Sequence, residues 1–235
     1  MSFAGLFPVT SGIVVVGHPG WPSLYPANTL GGLMAAATVA GMLEVDVRRS
    51  GDGKLMLSHD PILGGHVVAE TPWRVLGEID LGSGHHPALL DEALAALPGV
   101  SVQLEVKNWP GEPGFEPDHR LALETAERAR PGDMVTGFNW DTQLRVHRVY
   151  PDLATGIALA APLSLEEGIR HCQDVGHGVL IPEHSLLAGT LNTDLAVYPW
   201  TVNDPGRARE LVELGVTGII TDDPGLMTAT LGSDP

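Results

Sequence analysis

A chain of 235 residues with 43% hydrophobic residues and no break in composition predicts a single domain over residues 1–235. Its formal net charge of −16 at pH 7 argues against binding to nucleic acid or an anionic membrane. The single cysteine, Cys172, excludes an intramolecular disulfide, and we expect it to be buried. Residues 1–10 lack basic groups and a long apolar run, so we expect no membrane span and a cytoplasmic location.

Short aliphatic runs bounded by Gly, Pro, Asn or Asp alternate along the chain with stretches of helical spacing. This alternation predicts an α/β fold, a (β/α)8 TIM barrel whose closed parallel sheet is surrounded by helices. The candidate strands are residues 13–17, 43–47, 55–58, 102–106, 134–137, 154–159, 178–181, 196–201 and 218–221. The candidate helices are residues 29–40, 89–97, 117–129, 141–149, 164–173, 205–214 and 224–230.

Two segments depart from this alternation. The turn sequence at residues 50–53 joins the candidate strands 43–47 and 55–58 too closely for a helix, so we expect one barrel strand and one auxiliary hairpin arm. Residues 61–87 show no clear strand or full helix, and we expect a short excursion over the C-terminal mouth of the barrel. Four side chains of this excursion either line a substrate pocket or only pack and face solvent. They are His66, Trp73, His85 and His86.

Glu44 and Asp46 lie two residues apart in the strand-like run 43–47, so both carboxylates point to one face. The aliphatic residues between and beside them point to the other face. Neighbouring carboxylates in an apolar strand repel each other and lose hydration, so they need a bound cation or a paired Lys or Arg. The pattern indicates either a metal site or an ordinary strand that faces solvent.

A second run of this kind, residues 102–107, places Gln103, Glu105 and Lys107 on one face near the end of a strand. The carboxyl ends of the strands carry the active site in parallel barrels. Glu105 is therefore a candidate third oxygen ligand, and Lys107 is a candidate contact for a phosphoryl oxygen. Taken alone, the run favours a plain Glu–Lys ion pair at the rim.

Two histidines also fall at strand ends, His18 after residues 13–17 and His59 after residues 55–58. A lone histidine in such a place is usually structural or merely exposed. Two of them beside a carboxylate cluster suit phosphodiester cleavage, which needs one group to activate the attacker and one to protonate the leaving oxygen. Asp60 either orients the His59 ring or serves the turn, and its adjacent position favours the turn.

The residues 17–20, Gly-His-Pro-Gly, and 26–30, Pro-Ala-Asn-Thr-Leu, resemble the opening His-Arg-Gly and Pro-Glu-Asn-Thr-Leu signature of glycerophosphodiester phosphodiesterases. Further motifs of that family follow in order and at fitting distances, over nearly the full chain. They are residues 44–47, 52–53, 58–60, 104–107, 200–203 and 218–222. No single motif is specific, but their order and spacing together are.

This resemblance implies a barrel in which Glu44, Asp46 and Glu105 hold one divalent cation, either Mg2+ or Ca2+, with Mn2+ as a further option. It also assigns His18 and His59 as the catalytic pair, without deciding which is the acid and which the base.

The resemblance further assigns Lys107 as a phosphate contact and Trp200 as a wall beside the substrate. For Trp200 the alternative is an aromatic that only caps the core. Phe138 and Asn139 follow the candidate strand 134–137, and we expect them to border the pocket.

Two positions depart from the family pattern. Pro19 stands where the family has arginine, and Ala27 stands where it has glutamate. An arginine can clamp two phosphate oxygens, whereas proline offers no donor. Negative charge in the transition state must then be neutralised by the metal, by Lys107 or by another group, and losing one donor can cost about 100-fold or more in rate.

The leading interpretation is a metal-dependent phosphodiesterase that hydrolyses a small glycerophosphodiester-like substrate to an alcohol and a phosphomonoester, glycerol 3-phosphate. One alternative is a phosphodiesterase or cyclising lyase that acts on a lysophospholipid or a specialised phosphodiester. Another is a non-catalytic barrel that binds a ligand or a protein partner, which Pro19 and Ala27 favour but the retained ligands and histidines oppose. The sequence leaves the oligomeric state open.

Overall fold

The computed structural model describes residues 12–232. The strands in this range are β1 (Val14–Gly17), β2 (Met42–Arg49), β3 (Leu55–Leu57), β4 (Ile62–Leu63), β5 (His66–Val67), β6 (Ser101–Val106), β7 (Met134–Thr136), β8 (Ala154–Leu159), β9 (Val179–Pro182), β10 (Ala196–Val197) and β11 (Gly218–Thr221). The helices are α1 (Leu30–Ala36), α2 (Trp73–Leu76), α3 (Leu90–Ala96), α4 (Arg120–Ala126), α5 (Trp140–Val149), α6 (Leu165–Val175), α7 (Pro205–Glu213) and α8 (Pro224–Leu231). Short 3-10 turns lie at Val68–Glu70 and His184–Leu186.

Eight of these strands form the parallel barrel that the sequence predicts. Their order is β10-β9-β8-β7-β6-β2-β1-β11, and each ladder in this series is parallel. Backbone hydrogen bonds join the segment 197–202 to the last strand, with Thr217 N donating to Val197 O at 2.9 Å and Val202 N donating to Ile220 O at 2.8 Å. The sheet therefore closes on itself, and the predicted (β/α)8 TIM barrel is confirmed.

Alternate residues of β2 belong to different layers, as the period of a strand requires. Its aliphatic side chains at positions 43, 45 and 47 pack outward in the cluster that includes residues of α1, α3 and α4. Met42 packs inward instead, and Glu44 and Asp46 share its face. The inward cluster around Met42 also contains Val16, Met134, Ala158, Ile181, Tyr198 and Ile220. The acidic pair is thus directed into the barrel interior.

Capping side chains start several helices. The Thr29 hydroxyl accepts from Gly32 N at the start of α1, and Ser164 and Glu167 form a capping box at α6. Asp204 and Asp223 cap α7 and α8, each with a proline at the first helical position. Each cap satisfies a backbone N–H of the first turn that has no partner within its helix.

The auxiliary hairpin predicted near residue 50 is present. β3 pairs antiparallel with β2, Val47 opposite Leu57 and Arg49 opposite Leu55, so β2 is the barrel strand and β3 is the added arm. This pairing returns the chain toward the acidic pair, because Ser58 N donates to Asp46 O at 3.0 Å.

Residues 61–87 contain only short elements, in agreement with the absence of a clear strand or full helix in the sequence. This excursion holds the small β4–β5 hairpin, a 3-10 turn and the four-residue helix α2. The hairpin turns at Gly64 and Gly65, which both have positive φ angles that suit glycine. Elements of two to four residues are too short for a hydrophobic period to appear in the sequence.

Other predicted boundaries were too generous. The regular ladder of the predicted strand 196–201 covers only Ala196–Val197, and beyond it single backbone bonds continue the pairing with β9, from Tyr198 N to Leu180 O and from Trp200 N to Pro182 O, both at 3.0 Å. The predicted helix 29–40 is Leu30–Ala36, and the predicted helix 117–129 is Arg120–Ala126. Cys172 is fully buried as expected. None of the helices within residues 12–232 is long and apolar enough to span a bilayer.

Candidate active site

The carboxylates of Glu44, Asp46 and Glu105 meet inside the barrel. The parallel register of β2 and β6 sets Asp46 beside Glu105, and one ligand atom from each of the three residues lies within 4.8 Å of the others. All three side chains are buried. Hard oxygen donors gathered at this spacing are the ligands that Mg2+ and Ca2+ prefer.

Glu44 is the least compensated member of this cluster. Both of its carboxylate oxygens are buried without a hydrogen-bond partner among the described residues. Burial, followed by repulsion from Asp46 and Glu105, raises the pKa of Glu44 well above its ordinary value. A buried carboxylate with no donor is costly unless a cation or a proton reaches it. The three residues therefore fit a divalent cation.

Lys107, expected to contact phosphate, contacts two of the carboxylates. Its ammonium lies 2.7 Å from Asp46 Oδ1 and forms a short ion pair with Glu105 Oε1. Burial alone would lower the pKa of Lys107, but Glu105, Asp46 and Glu44 outweigh it, and the pKa is raised. Burial would likewise raise the pKa of Asp46, and Lys107 reverses that shift so that Asp46 stays ionised.

Asn28, which lies in the motif 26–30, is a further member of this site for which the sequence predicted no role. Its Nδ2 donates to Asp46 Oδ2 at 2.7 Å, and its Oδ1 accepts from Asp46 N at 3.2 Å. The residue has φ 58°, in the left-handed region that asparagine tolerates better than most residues. Its position in the motif 26–30, which resembles the family signature, is the sequence feature that could have indicated a role in the site.

His18 follows β1, which pairs with β2 on the edge opposite β6, and its ring lies next to Glu44. Its Nε2 lies 4.0 Å from Glu44 Oε2, and its Nδ1 lies 3.2 Å from Asp222 Oδ1. Asn203 Nδ2 donates to the second oxygen of Asp222 at 2.7 Å. Burial raises the pKa of Asp222, but the hydrogen bonds from His18 and Asn203 outweigh it, and the pKa is lowered. An ionised Asp222 orients the imidazole so that Nε2 faces the acidic centre.

His59 lies at the rim beyond β3, and its ring is 62% exposed. Its Nδ1 lies 2.8 Å from Asp60 Oδ1, so Asp60 contacts the ring, although its position next to His59 favoured a role in the turn. Asp60 itself is 74% exposed.

A cavity of about 260 Å³ opens at the carboxyl ends of β2 and β6, next to the acidic cluster. Its lining includes Arg48, His59, Lys107, Trp109, Glu112 and Phe138. Asn139 also lines it, as expected, whereas Trp200 is not among the lining residues. Trp200 packs edge-on against Phe138 with ring centres 5.4 Å apart and donates from Nε1 to Ile181 O. Phe138 in turn packs against the half-exposed Trp109.

None of the four candidate side chains in the excursion lines this cavity. Trp73 packs under the excursion with Met56 and Leu76. The His85 ring packs edge-on against Tyr25 at 5.8 Å. His86 Nδ1 pairs with a backbone carbonyl, and His66 is exposed. The alternative that these residues pack or face solvent is the one that the geometry supports.

The two residues that depart from the family pattern, Pro19 and Ala27, supply no functional group to the site. Pro19 is buried, and its carbonyl accepts from Asn28 N at 3.3 Å. Because proline has no N–H and no polar side chain, it offers the site no donor. Ala27 carries no functional group. The cations that line the cavity within the described residues are Lys107 and Arg48.

A parallel eight-stranded barrel with buried carboxylates and histidines at its C-terminal rim defines a class of barrel hydrolases. The model of the glycerophosphoryl diester phosphodiesterase family matches residues 18–226. The chain belongs to this family and is a phosphoric diester hydrolase.

Individual relatives are similar over most of their length. The chain is 28% identical over 238 residues to glycerophosphodiester phosphodiesterase GDPD4 of Arabidopsis thaliana, covering 91% of this chain and 71% of that protein. It is 27% identical over 247 residues to the probable glycerophosphodiester phosphodiesterase 2 of Mycobacterium tuberculosis, covering 94% and 91%. The structure of a phosphodiesterase of Oleispira antarctica, solved with sn-glycerol-3-phosphate as product, has a TM-score of 0.82 at 22% identity. That match covers 95% of this chain and 98% of the other, and supports the fold.

Proposed function

We propose that the chain is a metal-dependent glycerophosphodiester phosphodiesterase that releases an alcohol and glycerol 3-phosphate. The observation that carries the proposal is the buried Glu44 carboxylate, which has no hydrogen-bond partner and stands beside Asp46 and Glu105. Product-bound glycerol 3-phosphate in the Oleispira antarctica relative supports the substrate class. The expected cytoplasmic location and single-domain organisation stay predictions.

Glu44, Asp46 and Glu105 would hold the cation, and Mg2+, Ca2+ or Mn2+ all suit an oxygen ligand set. When bound, such an ion would withdraw charge from the phosphoryl group and lower the pKa of an attacking hydroxyl or water. Lys107 pairs with Asp46 and Glu105 and supplies a cation for a phosphoryl oxygen.

His18 and His59 would share the proton transfers of the reaction. The attacking water loses a proton as its oxygen bonds to phosphorus, and the alcohol oxygen gains one as its bond to phosphorus breaks. Asp222 orients His18, and Asp60 contacts His59, so each ring has one nitrogen paired and one left for the substrate. If a substrate hydroxyl attacks in place of water, a cyclic phosphate forms first.

The cavity offers the substrate an apolar wall next to a positive charge. Phe138 and Trp109 form an apolar wall beside Lys107, and Trp200 supports that wall from behind. A small glycerophosphodiester requires no larger apolar surface than this wall. Lysophospholipids, whose acyl chains require more, are therefore the substrates to compare with it.

The experiment is a panel assay with glycerophosphodiesters and lysophospholipids, measuring alcohol, glycerol 3-phosphate and cyclic phosphate with added Mg2+, Ca2+ or Mn2+. His18→Ala and His59→Ala should each lower kcat by about 100-fold or more, because each removes a proton-transfer group. His66→Ala, at an exposed histidine outside the cavity, is the matched control. Turnover that survives both active-site substitutions would contradict the proposed roles.

A further inference from the structure

Arg48 lies on the same face of β2 as Glu44 and Asp46, one strand period closer to the mouth. Its side chain is 6% exposed. Its Nε and Nη2 both donate to the backbone carbonyl of His59, at 2.9 and 2.7 Å. Two donors of a planar guanidinium on one acceptor fix the direction of that carbonyl as well as its distance.

The other contact of the guanidinium comes from a different loop. Arg48 Nη2 also donates to Glu112 Oε2 at 2.9 Å. Glu112 lies between β6 and α4, in the same turn as Trp109, whose carbonyl accepts from Glu112 N at 3.2 Å. Arg48 therefore joins the segment that carries His59 to the segment that carries the aromatic wall, and both segments line the cavity.

His59 has little else to hold it. Its ring is largely exposed, and its hydrogen-bond partner in the described part of the chain is the more exposed Asp60. An exposed pair of this kind is weak, because solvent screens it and both side chains keep their freedom. Ser58 Oγ donates to Asp60 O at 2.9 Å, which shapes the turn, and Ser58 N donates to Asp46 O at 3.0 Å, which ties residue 58 to β2. The clamp from Arg48 extends this tie to the backbone of His59 itself.

We propose that Arg48 is a positioning residue that holds His59 over the reacting phosphate by clamping its backbone carbonyl. The proposal rests on the proposed function, in which His59 transfers a proton. One face of β2 then carries the metal ligands Glu44 and Asp46 and also Arg48, which holds His59. A single strand therefore sets the distance between the metal site and His59. Glu112 keeps the guanidinium in place and needs no contact with the substrate.

The test is a double-mutant cycle with Arg48→Ala, His59→Ala and both together. Because a misplaced proton-transfer group impairs the chemical step, Arg48→Ala should lower kcat by about 10–100-fold and leave KM within about threefold. In the His59→Ala background, the same substitution should cost less than about twofold, since there is no ring left to position. Arg48→Lys, which keeps one donor, should recover part of the loss.

Arg49→Ala is the matched control. Arg49 is the next residue on the opposite face of β2, and it pairs with Glu116 and Glu124 away from the cavity. Its loss removes a comparable buried cation without touching His59, so kcat should stay near the wild-type value. Thermal unfolding and Mn2+ titration of each variant separate a local effect from loss of the fold or of the metal site.

Additive losses in the cycle, or a rise in KM with kcat preserved, would show that Arg48 binds substrate directly and would overturn the proposal. Failure of the proposed function is distinguishable, because wild type would then turn over nothing in the panel. In that case amide hydrogen exchange decides. The amides of residues 58–60 and of Trp109, Gly111 and Glu112 should exchange faster in Arg48→Ala than in Arg49→Ala, and equal exchange in the two variants would reject the clamp.

Discussion

Asn28 holds Asp46 at two points, donating from Nδ2 to its carboxylate at 2.7 Å and accepting on Oδ1 from its backbone N–H at 3.2 Å. The two residues are 18 positions apart, and the contact is buried. One oxygen of Asp46 is thus taken by Asn28, and the other faces Lys107 and the acidic centre. Asn28 therefore sets the orientation in which Asp46 can act as a ligand.

Replacing Asn28 should weaken metal binding without altering a ligand. Partners that orient ligating carboxylates typically contribute about 10–100-fold to metal affinity, and we expect a loss of this size for Asn28→Ala in a Mn2+ titration. Asn28→Gly is the matched variant, since glycine adopts φ 58° without strain. Both should lose similar affinity, and only alanine should lower stability further. Wild-type affinity in both variants would contradict the role.

Glu44 should destabilise the metal-free protein. Its pKa is raised by burial and by its carboxylate neighbours, so the folded state binds a proton that the unfolded state releases. Wild type should therefore lose stability relative to Glu44→Gln as pH rises above the ordinary carboxyl range. At neutral pH the metal-free variant should be more stable by about 1–3 kcal/mol in urea unfolding. Added Mn2+ should raise the Tm of wild type but not of the variant.

The exposed Glu78 provides the control for this comparison. Glu78→Gln removes a carboxylate of the same kind from solvent, and its stability should follow that of wild type at every pH. A metal-free Glu44→Gln protein that is less stable than wild type at neutral pH would contradict the account of an uncompensated charge.

A second pH dependence arises outside the active site, where His177 is buried between α5 and α6. Its Nδ1 pairs with Thr155 Oγ1 at 2.8 Å, its Nε2 has no partner in the described chain, and the His147 and His171 rings lie 5.3 and 5.9 Å away. Burial first, then these two histidines, lowers the pKa of His177 to about 3. The folded state thus keeps His177 neutral.

Stability from a neutral His177 should be complete above the unfolded pKa of about 6.5 and lost as pH falls toward 3. Between pH 8 and pH 5 this corresponds to about 2 kcal/mol of unfolding free energy, measured by urea titration at each pH. His177→Gln should flatten that slope, whereas the exposed His66→Gln should leave it unchanged. An unchanged slope in His177→Gln would remove His177 as its origin.

The barrel and its acidic centre could be predicted because both depend on local periods. Alternation along β2 places Glu44 and Asp46 on the face opposite their aliphatic neighbours, and the same period in β6 adds Glu105. Strands as long as β2 and β6, with eight and six residues, show this period clearly. The short elements of the excursion do not, so its four candidate pocket residues could not be distinguished from packing residues.

The supporting contacts could not be predicted, because they join distant parts of the chain. His18 meets Asp222 across 204 positions, and Arg48 reaches Glu112 across 64. Such pairs follow from barrel closure and from loop shapes rather than from any pattern within one segment. Asn28 and Asp222 stand in the motifs that resemble the family, but the motifs alone do not say which partner each one holds.

The most direct test of metal dependence is the release of glycerol 3-phosphate from a glycerophosphodiester. It is measured on one sample of wild-type protein under three successive conditions. The rate is recorded with Mg2+, after chelation with EDTA, and after Mg2+ is returned in excess, with Glu44→Gln treated in parallel. We predict turnover that is lost on chelation, restored by Mg2+ and absent from Glu44→Gln. Turnover by wild type that persists in EDTA, or by Glu44→Gln at the wild-type rate, would contradict the central claim.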